Sequence, residues 1–238
     1  MNITGKVCLI TGGTKGIGLG IAKALLEKEA KVVITGRSKE RIDEVVASLN
    51  SKYPDQIVGY ASDVRVYEDQ KKVINNIIAK WGQLDVAIAN AGIGYFESIE
   101  DLSLSQWKDV IDINLTGAFH TIKASVEALK ISKGYFITIA SLAGSNFFAK
   151  GSAYNASKFG LVGFTQAVML DLRKYGIKVS TVMPGSVATY FNDHVPSDAD
   201  AWKIQPEDLG QIITGLLEMH PRTLPSKIEV RPSIPGGA

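Results

Sequence analysis

The chain has 238 residues, 45% hydrophobic and 21% charged, which is the composition of a globular protein and not of a disordered one. Its 26 basic residues nearly balance 24 acidic ones, leaving a formal charge of +2, and the cations are scattered, so neither nucleic acid nor a membrane surface is expected as a partner. The single cysteine, Cys8, excludes an internal disulfide, and His120, His194 and His220 lie too far apart in sequence for metal-ligand spacing, so no metal is expected.

No apolar run approaches the ~18 residues that a transmembrane helix needs. The first six residues enter a strand-like stretch without the basic start, apolar segment or cleavage site of a signal peptide, which predicts a cytoplasmic location. In chain order, segments 6–11, 31–35, 56–61, 84–89, 135–140, 178–183 and 227–230 read as strands. Segments 18–28, 39–49, 68–81, 104–130, 153–175 and 206–219 read as helices, and Gly176 stops the fifth of these. Several strands are near-continuous apolar runs, such as Val86-Ala87-Ile88-Ala89, which is how strands buried on both faces read. Strand and helix alternate, so the chain predicts an α/β fold, a parallel sheet with helices on both faces in a single domain over 1–238. Residues 190–204 lack periodicity and read as a short lid. The last eight residues read as an ordered end followed by a short tail.

Residues Thr11-Gly12-Gly13-Thr14-Lys15-Gly16-Ile17-Gly18 close the first strand and open the first helix. In that context Gly12 permits a tight turn, Gly16 permits close backbone approach to a pyrophosphate, and Gly18 lets helix and strand pack. The helix N-terminus adds free N–H groups and a favourable dipole. After the second strand stands Arg37, where an acidic residue would bind the ribose 2′-hydroxyl of NAD. Arg37 and Lys15 are therefore read as the partners of a 2′-phosphate, which favours NADP(H) over NAD(H). Asp63 follows the third strand and either hydrogen-bonds the adenine or caps the next helix, two compatible roles.

Tyr154 and Lys158 share one helix face. A phenol titrates near ~10, and a neighbouring ammonium would lower that value and make Tyr154 an acid/base. The spacing alone is weak evidence, because Tyr67 and Lys71 repeat it. Tyr154, however, has Ser141 at the C-terminal end of the fifth strand, and ligands of open α/β sheets bind outside those ends.

In combination these motifs resemble the short-chain dehydrogenase/reductase family along essentially the whole chain. The resemblance is carried by the glycine turn, Asp63-Val64, Asn90-Ala91-Gly92, Asn114, Ser141, Tyr154-x-x-x-Lys158, and Pro184-Gly185 with Thr189. It implies a Rossmann-type doubly wound sheet of about seven strands in the order 3-2-1-4-5-6-7, and a catalytic tetrad of Asn114, Ser141, Tyr154 and Lys158. Tyr154 would be the acid/base, Lys158 would lower its pKa and bind the nicotinamide ribose, and Ser141 would orient the substrate carbonyl. Asn114, at a break in the 104–130 helix, would hold a water linking Lys158 to solvent. The cofactor would lie on Gly12, Thr14, Lys15, Gly16, Ile17, Gly18, Arg37, Asp63, Val64, Asn90, Ala91, Gly92, Tyr154, Lys158, Pro184, Gly185, Val187 and Thr189. Relatives often pair through two long helices, here 104–130 and 153–175, which implies a homodimer or homotetramer. Two departures stand out: Ala89 precedes Asn90 where the family often has a second asparagine, and the 227–235 ending differs from that of fatty-acid ketoreductases.

The predicted reaction is reversible hydride transfer between NADP(H) and a carbonyl carbon, of the 3-oxoacyl-reductase type. The alternatives are a sepiapterin-like or other small-dicarbonyl reductase, and a non-catalytic NADP(H)-binding redox sensor. The substrate pocket falls to segments 94–97, 142–151 and 190–204, with Tyr95, Phe96, Phe147, Phe148, Phe191 and Trp202. These rings either line a pocket for an apolar or aromatic carbonyl compound or pack within the lid.

Overall fold

Parallel strands cannot be joined by tight hairpins, and here each of the six connections between the seven strands is a crossover that contains a helix. The structure is a computed structural model that describes residues 1–234. The strands are β1 (Val7–Thr11), β2 (Lys31–Gly36), β3 (Ile57–Ala61), β4 (Val86–Ala89), β5 (Tyr135–Ile139), β6 (Lys178–Pro184) and β7 (Lys227–Val230). They form one sheet in the order β3-β2-β1-β4-β5-β6-β7. All six pairings are parallel, with registers such as Val7 opposite Lys31, Val86 opposite Tyr135 and Thr181 opposite Lys227. The order predicted from the resemblance is the order found.

The helices are α1 (Gly16–Glu27), α2 (Lys39–Asn50), α3 (Tyr67–Trp81), α4 (Leu104–Ile111), α5 (Gly117–Ser132), α6 (Ser152–Leu172) and α7 (Pro206–Glu218). Side chains alternate across each strand, so the sheet feeds two apolar layers. Cys8, Ile10, Val32, Ile34, Val86, Ile88, Ile137 and Val182 pack against α1 and α7 through Ile21, Leu25, Ile213 and Leu217. Leu9, Val33, Ala87, Phe136, Val179 and Met183 pack on the other face against Ile77, Ile122 and Leu161 of α3, α5 and α6. Every residue of β1, β4 and β5 is buried, which is why those runs carry no polar alternation. At the N-terminal edge of the sheet the buried Asp85 ties β1 to β4, accepting from the Val7 N–H at 2.9 Å, Lys6 Nζ at 2.9 Å and Gln83 Nε2 at 2.8 Å.

Three local predictions change. The 104–130 helix is two helices joined by a π-turn at Asp112–Thr116, so Asn114 does stand at a break. Asp63 is not a helix cap: α3 begins at Tyr67 with Val66 in the capping position. The 190–204 lid contains two short 3₁₀ turns and is pinned by a parallel bridge between Val187 and Ile204. The end of the predicted tail, residues 235–238, lies outside the described residues. No helix among the described residues is long and apolar enough to cross a membrane.

Candidate active site

In an open parallel sheet the crevice forms where neighbouring crossovers leave in opposite directions, here between β1 and β4. A cavity of about 1520 Å³ opens there, over the C-terminal ends of the strands. Its first wall is the glycine turn. Gly12 and Gly16 hold φ of +66° and +53°, a left-handed backbone that side chains disfavour. A Cβ on Gly12 would stand 3.0 Å from Ala91 Cα, and one on Gly18 would stand 2.3 Å from the Gly12 carbonyl oxygen. Asn90 clamps the turn by donating to the carbonyls of Thr11 at 2.9 Å and Gly12 at 3.0 Å. Helix α1 starts with no side-chain cap and no acidic residue in its first turn, so its leading N–H groups remain available to an anion.

Thr35, Gly36, Arg37, Ser38 and Arg41 continue this wall from the end of β2. Arg41 pairs with Glu44 at 3.2 Å, whereas Lys15 and Arg37 have no carboxylate in ion-pair range among the described residues. Thr35 Oγ1 is buried without a hydrogen-bond partner and borders the same cavity. A glycine cradle that side chains would fill, open helix N–H groups and two unpaired cations together suit a phosphorylated ligand. Asp63 also borders the cavity, but its carboxylate is held by Arg65, whose Nη2 lies at 2.6 Å and whose backbone N–H lies at 2.9 Å. The same guanidinium reaches Asp109 at 3.2 Å and keeps the Asp63 carboxyl below its usual range.

The second wall carries Ser141, Tyr154 and Lys158. Ser141 stands two residues past the end of β5, and its Oγ accepts from the Ala143 N–H at 3.1 Å, which leaves its own proton free to donate. Tyr154 and Lys158 project from α6, with Lys158 Nζ 5.6 Å from the Tyr154 ring centroid. Lys158 is only 4% exposed and donates to the Ile139 carbonyl at 3.0 Å. Burial pushes its ammonium down to about 8. Burial likewise pushes the Tyr154 phenol up, with the Ser141 hydroxyl acting against it. The direction for Tyr154 differs from the sequence expectation because desolvation outweighs any help from Lys158, whose hydrogen bond goes to Ile139. Burial thus favours the neutral phenol.

Asn114 is held from three sides. Its Oδ1 accepts from the Ile93 N–H at 2.8 Å, and its Nδ2 donates to the Ile93 carbonyl at 2.9 Å and to Ser157 Oγ at 3.0 Å. A Cβ on Gly92 would lie 3.3 Å from Asn114 Oδ1 and 3.6 Å from Lys158 Nζ, so that glycine keeps the space between them open.

A family model for short chain dehydrogenase matches residues 6–200. The chain belongs to the short chain dehydrogenase family. It is 32% identical over 232 residues to an uncharacterised oxidoreductase of Staphylococcus aureus (strain MW2), covering 97% of this chain and 98% of that protein. Among solved structures, an alcohol dehydrogenase from the archaeon Thermococcus sibiricus, complexed with 5-hydroxy-NADP, superposes with a TM-score of 0.91. Its identity is 25%, over 96% of this chain and 97% of that one. A metagenomic short-chain oxidoreductase in complex with NADP gives a TM-score of 0.85 at 29% identity, over 99% of this chain and 100% of that one.

In this short chain dehydrogenase, Ser141, Tyr154 and Lys158 border one cavity together with Gly12, Thr14, Lys15, Gly16, Ile17, Arg37, Asp63, Val64, Asn90, Ala91, Gly92, Pro184, Gly185, Val187 and Thr189. Tyr95, Phe147, Phe148, Phe191 and Trp202 border it too. Gly18 and Asn114 stand behind the wall, the first packing helix on turn and the second bracing the Ile93 backbone. The competing pair is elsewhere: Lys71 sits over the Tyr67 ring at 5.7 Å and pairs with Glu68 on the surface of α3.

The dehydrogenase also uses residues that the motifs did not single out. Ser157 joins Asn114 to α6, accepting from Asn114 Nδ2 and donating to the Tyr154 carbonyl at 2.8 Å. Asn155 donates to the carbonyls of Ala143 and Asn146, both at 2.8 Å, and so fixes the loop after β5. The available signal was the crowding of polar residues into one turn of an otherwise apolar helix. Ser38 and Arg41, beside Arg37, carried the signal of their position after β2.

Proposed function

We propose that the protein is an NADPH-dependent carbonyl reductase of the 3-oxoacyl-reductase type, with the whole chain acting as one dinucleotide-binding and catalytic domain. The observation that carries this reading is one cavity with an anion cradle and two unpaired cations at one end and Ser141, Tyr154 and Lys158 at the other. The pyrophosphate is assigned to the glycine turn and the α1 N-terminus, and the 2′-phosphate to Lys15 and Arg37 with Ser38 and Arg41 beside them. Asp63 and Val64 border the adenine, Asn90-Ala91-Gly92 the ribose, and Pro184, Gly185, Val187 and Thr189 the nicotinamide end. Both solved relatives described above hold an NADP species, which supports the phosphorylated cofactor.

When bound, the nicotinamide supplies the hydride. The protein's own groups supply the rest. Tyr154, held protonated by burial, gives its phenolic proton to the carbonyl oxygen. Ser141 donates a hydrogen bond to that oxygen, its own acceptor site being filled by the Ala143 N–H. Lys158, at about 8, is charged near neutrality and stabilises the phenolate that the transfer leaves. Asn114, set against Lys158 across the space that Gly92 leaves, would help to hold a water that links Lys158 to solvent, the route for the replacing proton.

The family resemblance supports a homodimer or homotetramer, and the cytoplasmic location rests on the sequence reading of the first six residues. The exposed Trp107, Phe119, Phe159 and Leu170 on α4, α5 and α6 support pairing through those helices. The test is a screen of ketones and aldehydes that follows NADPH absorbance. Oxidation of NADPH that depends on the carbonyl compound supports the reading. Tight NADPH binding with no turnover of any carbonyl contradicts it and favours a redox sensor.

A further inference from the structure

Three phenylalanines from three separate segments converge on the acid/base residue. Phe96 follows β4, Phe148 follows β5, and Phe191 belongs to the lid. The Phe96 ring meets Tyr154 edge-on, with centroids 5.5 Å apart, and Phe191 meets the same tyrosine at 5.6 Å. Phe96 also touches Phe148 at 5.7 Å and Phe191 at 6.2 Å, so it is the hub of a four-ring cluster.

The backbone makes room for the two outer rings. A Cβ on Gly94 would stand 2.7 Å from Phe191 Cζ, and a Cβ on Gly151 would stand 2.6 Å from Phe148 Cε2. Phe191 is also held from behind. The next two residues, Asn192 and Asp193, both take left-handed backbones, with φ of +55° and +58°. Beyond them the buried Asp200 fixes the turn. It receives His194 Nε2 at 2.6 Å and the Ser197 N–H at 3.0 Å, and it pairs with Lys203 at 2.5 Å. A strained, latched turn thus ends in one aromatic ring set against the group that delivers the proton.

Building on the carbonyl-reductase reading, we propose that Phe191 is a displaceable plug: its ring occupies the place of an aromatic substituent on the substrate carbonyl. The substrate class is then an aryl ketone or aryl aldehyde. Its ring takes the seat of Phe191 against Phe96 and Tyr154, while Phe191 swings out about Asn192 and Asp193. A flat ring restores the two tilted aromatic contacts that the plug gives up, whereas a flexible alkyl chain of equal carbon number restores neither.

The test compares acetophenone with 2-octanone, both of eight carbons, in the wild type, Phe191→Ala, Phe191→Leu and Phe96→Ala, by NADPH oxidation. The wild type favours acetophenone in kcat/KM by about tenfold, the worth of two aromatic contacts. Phe191→Ala lowers KM for acetophenone and 2-octanone alike, because each must otherwise displace the plug, and keeps their ratio near tenfold; Phe191→Leu lies between, and NADPH affinity is unchanged in both. Phe96→Ala, which removes one of the two contacts, lowers the acetophenone-to-2-octanone ratio by about threefold. KM values for both ketones that are the same in the wild type and both Phe191 variants overturn the plug, a wild-type ratio near one overturns the aryl preference, and either leaves the reductase reading standing. Absence of turnover with every ketone and aldehyde, alongside NADPH binding, overturns both.

Discussion

The side-chain amide of Asn114 donates to Ser157 Oγ at 3.0 Å, joining the π-turn between α4 and α5 to the helix that carries Tyr154 and Lys158. Ser157 passes the link on to the Tyr154 carbonyl and is fully buried. Replacing it by alanine strands one buried amide proton of Asn114. Such an unsatisfied group costs about 1–3 kcal/mol. Chemical denaturation of Ser157→Ala should show that loss together with a lower kcat and an unchanged KM for NADPH. Stability and kcat equal to the wild type would show that the link holds nothing.

The pKa of Lys158 gives stability a definite pH dependence. Burial takes the folded value to about 8 from an ordinary 10.5, so between those values the unfolded chain binds the extra proton. Stability therefore rises with pH across that window, and the full cost of the buried ammonium is felt below it. A shift of this size corresponds to about 3 kcal/mol. Thermal melting should show the wild type gaining stability between pH 8 and 10 relative to Lys158→Met, in which that titration is gone. Parallel curves for the two proteins would contradict the assignment.

Cofactor choice should turn on Arg37. NADPH should bind more tightly than NADH, and Arg37→Asp should reverse the order, because a carboxylate repels the 2′-phosphate and accepts from a 2′-hydroxyl. Fluorescence titration of both cofactors reads this directly. Equal affinities in the wild type would refute the reading of Lys15 and Arg37.

Two glycines should respond in opposite senses to alanine. At Gly18 the new methyl would lie 2.3 Å from the Gly12 carbonyl oxygen and 2.6 Å from Asn90 Nδ2, so α1 must move off the turn. Overpacking of this kind costs about 1–3 kcal/mol and should weaken NADPH binding as well. At Gly215, exposed in α7, nothing lies within 4 Å of the new methyl, and the change should stabilise by about 1 kcal/mol. A matched pair of melting curves tests both, and Gly18→Ala with wild-type stability would disprove the packing role.

Much of this was legible in the chain because it depends on local rules. The buried runs of β4 and β5 announced a sheet covered on both faces, and the strand–glycine–helix order at Thr11–Gly18 announced the cradle. The break at Asn114 came only from the family resemblance, because Leu104 to Ser132 keeps its helical pattern through the π-turn. Asp63 showed its position but not its partner, since Arg65 turns back only in the folded loop. The pKa direction of Tyr154 was misread because depth of burial, not spacing, decides it. The lid was the least legible: Asn192, Asp193 and Asp200 fix Phe191 by backbone strain and ion pairs that leave no periodic trace.

The central claim is that Tyr154 delivers the proton that accompanies hydride transfer. The most direct measurement is single-turnover reduction of a carbonyl substrate by NADPH in Tyr154→Phe, which removes only the hydroxyl. The account predicts NADPH affinity equal to the wild type and a transfer rate lower by about 10²–10⁴-fold, the usual worth of a positioned general acid. A rate close to that of the wild type would contradict it.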